Sequence, residues 1–239
     1  MGAGLTGQVM PQIVLHQWEM SPFCNKTRRC LTYKGLAYTT VDYNGLLARK
    51  AASLTPVGKL PVLDYDGERI QDSSRIAEFL DTRHPEKPLY PKDRQQLAAA
   101  RLWEDWAGQS LYFYQIYFRM LDPVSLERAL DLICAGRPGW ERNILKAVFK
   151  RRYPKKLNQQ GLGRLPREVV EQQFFVLLGD LDTLLGERRW LSGDSLSMAD
   201  LSVMAQLSEL VRTSDLAPRV LALPKLKEWY ERCTQAAPT

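Results

Sequence analysis

Gln17-Trp18-Glu19-Met20-Ser21-Pro22-Phe23-Cys24-Asn25-Lys26-Thr27-Arg28-Arg29-Cys30-Leu31 is the stretch that decides the fold. The apolar run Ile13-Val14-Leu15 ahead of it suits a buried parallel strand. Pro22 stands where the first turn of a helix tolerates proline. Thr27, Cys30 and Leu31 then recur at helical spacing, and Gly35 occupies the place of a left-handed C-cap. Strand, turn and helix follow in that order, with a second strand predicted over 38–43.

Working outward, a short polar helix is expected over 46–52. Leu60-Pro61-Val62-Leu63-Asp64-Tyr65 and Glu68-Arg69-Ile70 flank Asp66-Gly67, a favoured two-residue hairpin turn. A helix over 73–83 carries Ile76, Phe79 and Leu80 on one face. The order β-α-β-α-β-β-α is that of a thioredoxin-like α/β domain, assigned to 11–83. Pro85, Pro88 and Pro91 break any helix in the next stretch, so 84–93 is read as a linker and 94–239 as an all-α domain. There Val170, Phe174, Leu177, Leu181 and Leu184 form one apolar stripe. Ser197 with Asp200 forms a capping box, stapled by Leu196 and Leu201.

The chain has 239 residues, 45% of them hydrophobic and 25% charged, as in ordinary globular proteins, so two modest cores are expected. No window reaches the length and apolarity of a transmembrane segment, and the first residues do not resemble a secretory signal; the expectation is a cytoplasmic protein. Met1-Gly2 with Thr6 fits a loose myristoylation pattern, but the Gly- and Thr-rich leader is read as a frayed terminus. Asn25-Lys26-Thr27 fits a glycosylation pattern but lies inside the predicted helix. Cys24, Cys30, Cys134 and Cys233, with His16 and His84, show no metal-ligand spacing, so no metal site is expected.

Three motifs carry chemistry. A hydroxyl at the first turn of a helix, as at Ser21, lies near free N–H groups and the positive end of the helix dipole, and can donate to a nearby thiolate; it is equally a plain N-cap. Val57-Gly58-Lys59-Leu60-Pro61-Val62 would present the Leu60 main chain to an extended peptide if the bond before Pro61 were cis. Gln71-Asp72-Ser73-Ser74 opens a helix whose N–H groups suit a carboxylate while Asp72 suits an ammonium group, or it simply caps that helix.

Together these motifs resemble the glutathione transferase superfamily over essentially the whole chain. Ser21-Pro22-Phe23 is similar to the tau-class motif, as are Thr55-Pro56-Val57 and Leu60-Pro61-Val62, and 193–200 resembles the Gly-Asp-x-x-Ser-x-Ala-Asp run of the helical domain. Ser21-Pro22-Phe23-Cys24 and Asp72-Ser73-Ser74 are also similar to metaxin-type and failed-axon-type members. The resemblance implies glutathione as co-substrate and Ser21 as the catalytic hydroxyl. It further implies a glutathione site from Phe23, Cys24, Lys59, Leu60, Pro61, Asp72 and Ser73, and a homodimer. The activity implied is conjugation of glutathione to an apolar electrophile. Omega-like and glutaredoxin-like relatives have cysteine where Ser21 stands, and serine disfavours disulfide exchange; a thiol transferase or glutathione lyase would need Cys24 instead.

For the electrophile, Trp103, Trp106, Ser110, Phe113 and Tyr117 recur at helical spacing, and the nearby tyrosines exceed what one buried face needs. Trp18, Trp106, Ser110, Phe113, Tyr114 and Tyr117 are the expected second-substrate wall, though an aromatic stripe serves equally as core. Residues 137–167 hold ten basic side chains against the single acid Glu141, which localises the net charge of +6. This basic insertion contains an amphipathic helix that Pro154 is expected to end. A solvated face, a lid over the second-substrate site, or a scaffold for an anionic partner are its alternatives; nucleic acid is not expected, because the interleaved aromatics of a single-strand binder are missing.

Overall fold

The computed structural model describes residues 11–239; the myristoylation pattern lies outside them. A four-stranded mixed sheet with helices α1 (Pro22–Lys34) and α2 (Ser73–Arg83) forms the first part, and eight further helices form the remainder of the described residues. Strand β1 (Ile13–Gln17) pairs in parallel with β2 (Thr39–Asp42) and antiparallel with β3 (Val62–Tyr65), which pairs antiparallel with β4 (Glu68–Gln71). The sheet order is β2-β1-β3-β4. Asp66 and Gly67 both take positive φ (49° and 86°), the turn that matches the twist of a tight hairpin.

Helix α1 (Pro22–Lys34) is bounded as its sequence dictates. Ser21 is the N-cap with extended backbone, Pro22 opens the first turn, and Gly35 closes the helix at φ 72°. There Leu36 N–H donates to Leu31 C=O and Gly35 N–H to Thr32 C=O. Phe23 apart, α1 is buried from Pro22 to Leu31, because it packs against the second helix of its own domain and against a helix of the second domain. Its inward polar side chains are consequently bonded: Asn25 to Glu209 (2.8 Å), and Arg29 to Asn25 (2.8 Å), Ser208 (3.2 Å) and the Ala237 carbonyl (2.6 Å).

A 3-10 segment, Gly45–Ser53, replaces the expected short helix, and α2 (Ser73–Arg83) ends before a stretch without helix or strand. The helical remainder starts with α3 (Arg94–Trp106), a π-helical turn at Ala107–Leu111, and α4 (Tyr112–Met120). It continues with α5 (Pro123–Ile133), α6 (Gly139–Gln160) and α7 (Arg167–Glu187). Last come α8 (Met198–Val211), the short α9 (Ala217–Val220) and α10 (Pro224–Ala236).

Helix α8 is the hub of the second core. Its capping box forms as expected, and Asp200 also accepts from Leu191 N–H (2.9 Å) and Trp229 Nε1–H (2.8 Å). Burial pushes the Asp200 carboxyl up, and these donors oppose that shift. The α7 stripe turns slightly from its expected course: Val170, Phe174, Leu178, Leu181 and Leu185 are buried while Leu184 is exposed.

Pro154 does not end its helix; α6 runs through it for 22 residues to Gly161, which turns at φ 120°. Burial of Leu145, Phe149 and Leu157 on one face holds the helix beyond the missing N–H. The basic segment is thus mostly a helix of the bundle, packed on α4, α5 and the 3-10 segment. Among the described residues no helix is long and apolar enough to cross a membrane.

Candidate active site

A cleft of about 780 Å³ opens between the two domains. Leu60 and Pro61 form one wall, Gln71, Asp72 and Ser73 a second, and Pro22 and Phe23 reach it from the start of α1. The Leu60-Pro61 bond is cis. Gln71 Nε2 donates to the Lys59 carbonyl (3.2 Å), tying the loop before β3 to the end of β4. Asp72 holds φ at 81°, a conformation that costs a non-glycine residue on the order of 1–3 kcal/mol. Its carboxylate caps α2, accepting from Ser74 N–H (2.9 Å) and Arg75 N–H (3.3 Å). Six of the seven expected glutathione-site residues therefore face one cleft, and Asp72 is both cap and wall.

Cys24 departs from its expected place. It is fully buried, outside the cleft wall, and its sulfur accepts the Trp18 N–H at 3.4 Å. Burial pushes its thiol up to about 11, with the Trp18 N–H and Ser21 hydrogen bonds acting in the opposite sense. A thiol held protonated and closed to solvent does not attack a disulfide.

Ser21, the expected catalytic hydroxyl, is buried and is not among the residues lining the cleft, which Pro22 and Phe23 next to it do line. Its Oγ accepts the Cys24 N–H at 3.3 Å, completing the N-cap. A hydroxyl accepts and donates at once, so accepting the Cys24 N–H leaves the Ser21 hydrogen free to act on a sulfur, as it does on the Cys24 thiol. Capping and thiolate donation are thus compatible in one residue.

The sequence offered no sign of the cluster that fixes the cleft floor. Glu104 of α3 accepts from Lys26 Nζ (2.9 Å), Ser74 Oγ (2.6 Å) and Tyr90 O–H (2.8 Å). Its side chain is 11% exposed and that of Lys26 6%. Burial alone would push the Glu104 carboxyl up, but the Lys26 charge and the three hydrogen bonds outweigh it and hold it below its ordinary value. The cluster ties α1 and α2 to α3, next to Ser73. At the inner end of the cleft, Ser202 Oγ and Gln206 Oε1 are buried without a hydrogen-bond partner among the described residues.

None of the expected second-substrate residues lines this cleft, and they do not form one wall. For Phe113, Tyr114 and Tyr117 the π-helical turn at 107–111 intervenes: its wider winding rotates the residues after it relative to Trp103 and Trp106 before it. Tyr114 stacks on Phe174 (5.7 Å) and Tyr117 packs on Phe118 (5.2 Å), both inside the core. Trp106 packs on Trp103, and Ser110 lies within the π-helical turn. Trp18 and Phe113 belong instead to an aromatic group on the α6 side. Trp18 meets Phe149 (6.4 Å), Phe149 meets Tyr153 (5.3 Å), Tyr112 meets both Phe113 and Phe23, and Lys156 lies 4.6 Å over Tyr112 and donates to its hydroxyl (2.8 Å). Burial, aided by Arg152, lowers the Lys156 ammonium below its ordinary value.

Comparison with known proteins agrees with this geometry. Residues 15–88 match the family model described as the glutathione S-transferase N-terminal domain, and 143–237 match that of the C-terminal domain. The chain is 27% identical to the isoprene-epoxide–glutathione S-transferase of Rhodococcus sp. (strain AD45), covering 80% of this chain and 81% of that one. It is 32% identical to the maleylacetoacetate isomerase of Dictyostelium discoideum, over 86% and 83%. The crystal structure of a glutathione S-transferase from Rhodospirillum rubrum F11 superposes with a TM-score of 0.63 at 21% identity, over 93% and 88% of the two chains. Fold, two domain matches and full-length relatives together place this chain in the glutathione transferase superfamily.

Proposed function

We propose that the protein is a glutathione transferase that joins glutathione to an apolar electrophile. The observation that carries this reading is the convergence of the Leu60 main chain, the α2 N-terminus at Asp72-Ser73 and the start of α1 on one cleft. The tripeptide would lie along Leu60 in extended form, its glycine carboxylate near Lys59 and its γ-glutamyl carboxylate on the Ser73 N–H and hydroxyl. Its sulfur would point to the α1 N-terminus, where the Ser21 hydroxyl and the helix dipole favour the thiolate.

The Rhodococcus relative makes a small epoxide the first electrophile to try. The thiolate would attack an epoxide carbon, a C–S bond forming as the C–O bond breaks, and the alkoxide would then take a proton from water. Phe23 lines the cleft and meets Tyr112, which meets Phe113, so these part-exposed rings offer the apolar surface nearest the sulfur. A homodimer fits the exposure of Leu102 on α3 (72%), beside the cleft residues Arg101 and Asp105. A cytoplasmic protein is the corresponding localisation.

Calorimetric titration with glutathione tests the site. Binding should weaken about tenfold in Ser73→Ala, the loss of one hydrogen bond to a charged group. A chain that does not bind glutathione would refute the assignment.

A further inference from the structure

The ten cations of 137–167 fall into two groups. Arg137 pairs with Glu141, Arg142 with Glu127 and Asp131, Lys146 with Glu127, and Arg167 with Asp122. Lys156 is held on Tyr112, and Arg164 on the Asn158 carbonyl. The other four, Lys150, Arg151, Arg152 and Lys155, are exposed and make no ion pair or hydrogen bond among the described residues. A solvated charged face intersperses both signs, whereas this end of α6 carries one sign alone.

The same face is apolar in its first half. Trp140, Ile144 and Val148 are 58%, 44% and 45% exposed, and Arg151 and Lys155 continue the row at 11 and 15 residues from Trp140. The row is about 22 Å long and lies opposite the buried face of Leu145, Phe149 and Leu157. A tryptophan, two branched aliphatics and unpaired cations along one outward helix face match the chemistry of a helix lying at the surface of an anionic bilayer. The positive end supplies the charge complementarity, and the apolar end supplies surface to bury between headgroups.

We infer that the outer face of α6 docks the protein peripherally on membranes rich in anionic phospholipid. The test is sedimentation of the full chain with phosphatidylcholine vesicles, with and without phosphatidylglycerol. Binding should require phosphatidylglycerol and weaken steeply with salt. The variant Lys150→Gln/Arg151→Gln/Lys155→Gln should bind about a hundredfold more weakly, at about fivefold per charge. Trp140→Ser/Ile144→Ser should bind more weakly with unchanged salt dependence. Glutathione conjugation in solution should be unaltered in both. No binding to anionic vesicles, equal binding to neutral ones, or undiminished binding by the charge variant would overturn the inference. So would a change of oligomeric state in the variants without lipid binding by the parent, which would make the face a protein interface.

Discussion

Glu104→Gln should destabilise the protein and weaken its hold on glutathione. The substitution preserves volume and leaves an amide oxygen to accept one hydroxyl, but it removes the counter-charge of an ammonium group whose side chain is 6% exposed. Breaking a buried ion pair from one side costs about 3–5 kcal/mol, because the remaining charge stays desolvated. In a protein of this size that lowers the melting temperature by about 10 °C. Ser74 loses its carboxylate acceptor beside Ser73, so the glutathione Kd should rise about fivefold, the worth of one hydrogen bond. The double variant Lys26→Met/Glu104→Met should be markedly less destabilised than the sum of its parts, since no lone charge is left buried. The Glu104 carboxyl titrates below its ordinary 4.5 in the fold, so its contribution is complete above that value. It disappears as pH falls through the lower folded value, and the gap between parent and Gln variant should close there. Thermal melts across pH with glutathione titrations measure all of this. A Gln variant melting within about 2 °C of the parent, or additive single and double variants, would refute the role given to the cluster.

Cys24 should resist iodoacetamide in the native protein at neutral pH and react only on unfolding, which mass spectrometry of the labelled peptides reads directly; rapid native labelling would restore the thiol-transfer mechanism. Gly45→Ala should lower the melting temperature by several degrees, because Gly45 has φ 61° and an added Cβ would run into the Glu141 carboxylate and lie 2.9 Å from Arg137 Cγ. Gly35→Ala is the control: φ is 72° but nothing lies within 4 Å of the added carbon, so only the backbone cost of about 1 kcal/mol applies. Equal losses in the two would show that the contact between α6 and the 3-10 segment contributes nothing.

Local signals carried most of the fold. Ser21-Pro22 and Gly35 bound α1, Asp66-Gly67 makes the hairpin, and Ser197 with Asp200 starts α8 as expected, because caps and turns are decided by residues within a few positions. The cleft wall was legible for the same reason, as two short motifs. What was not legible depends on distance in sequence. Lys26 and Glu104 are 78 positions apart, and Lys26 attracted notice only within a glycosylation pattern. The aromatic wall failed for a different reason. A regular helical period was extended through 107–111, where one π-helical turn alters it and sends Tyr114 and Tyr117 into the core. Cys24 was visible as a residue but its burial was not, since that follows from α1 being covered on two sides.

The central claim is that Ser21 holds the thiolate of bound glutathione by donating the hydroxyl hydrogen it keeps while capping α1. Ultraviolet titration of the bound thiol in the parent and in Ser21→Ala measures that directly. A hydrogen bond to a charged group is worth about 1.5–3 kcal/mol, so the alanine variant should raise the bound thiol pKa by about one to two units and slow conjugation at neutral pH in proportion. An unchanged thiol pKa in a variant that still folds and binds glutathione would contradict the account.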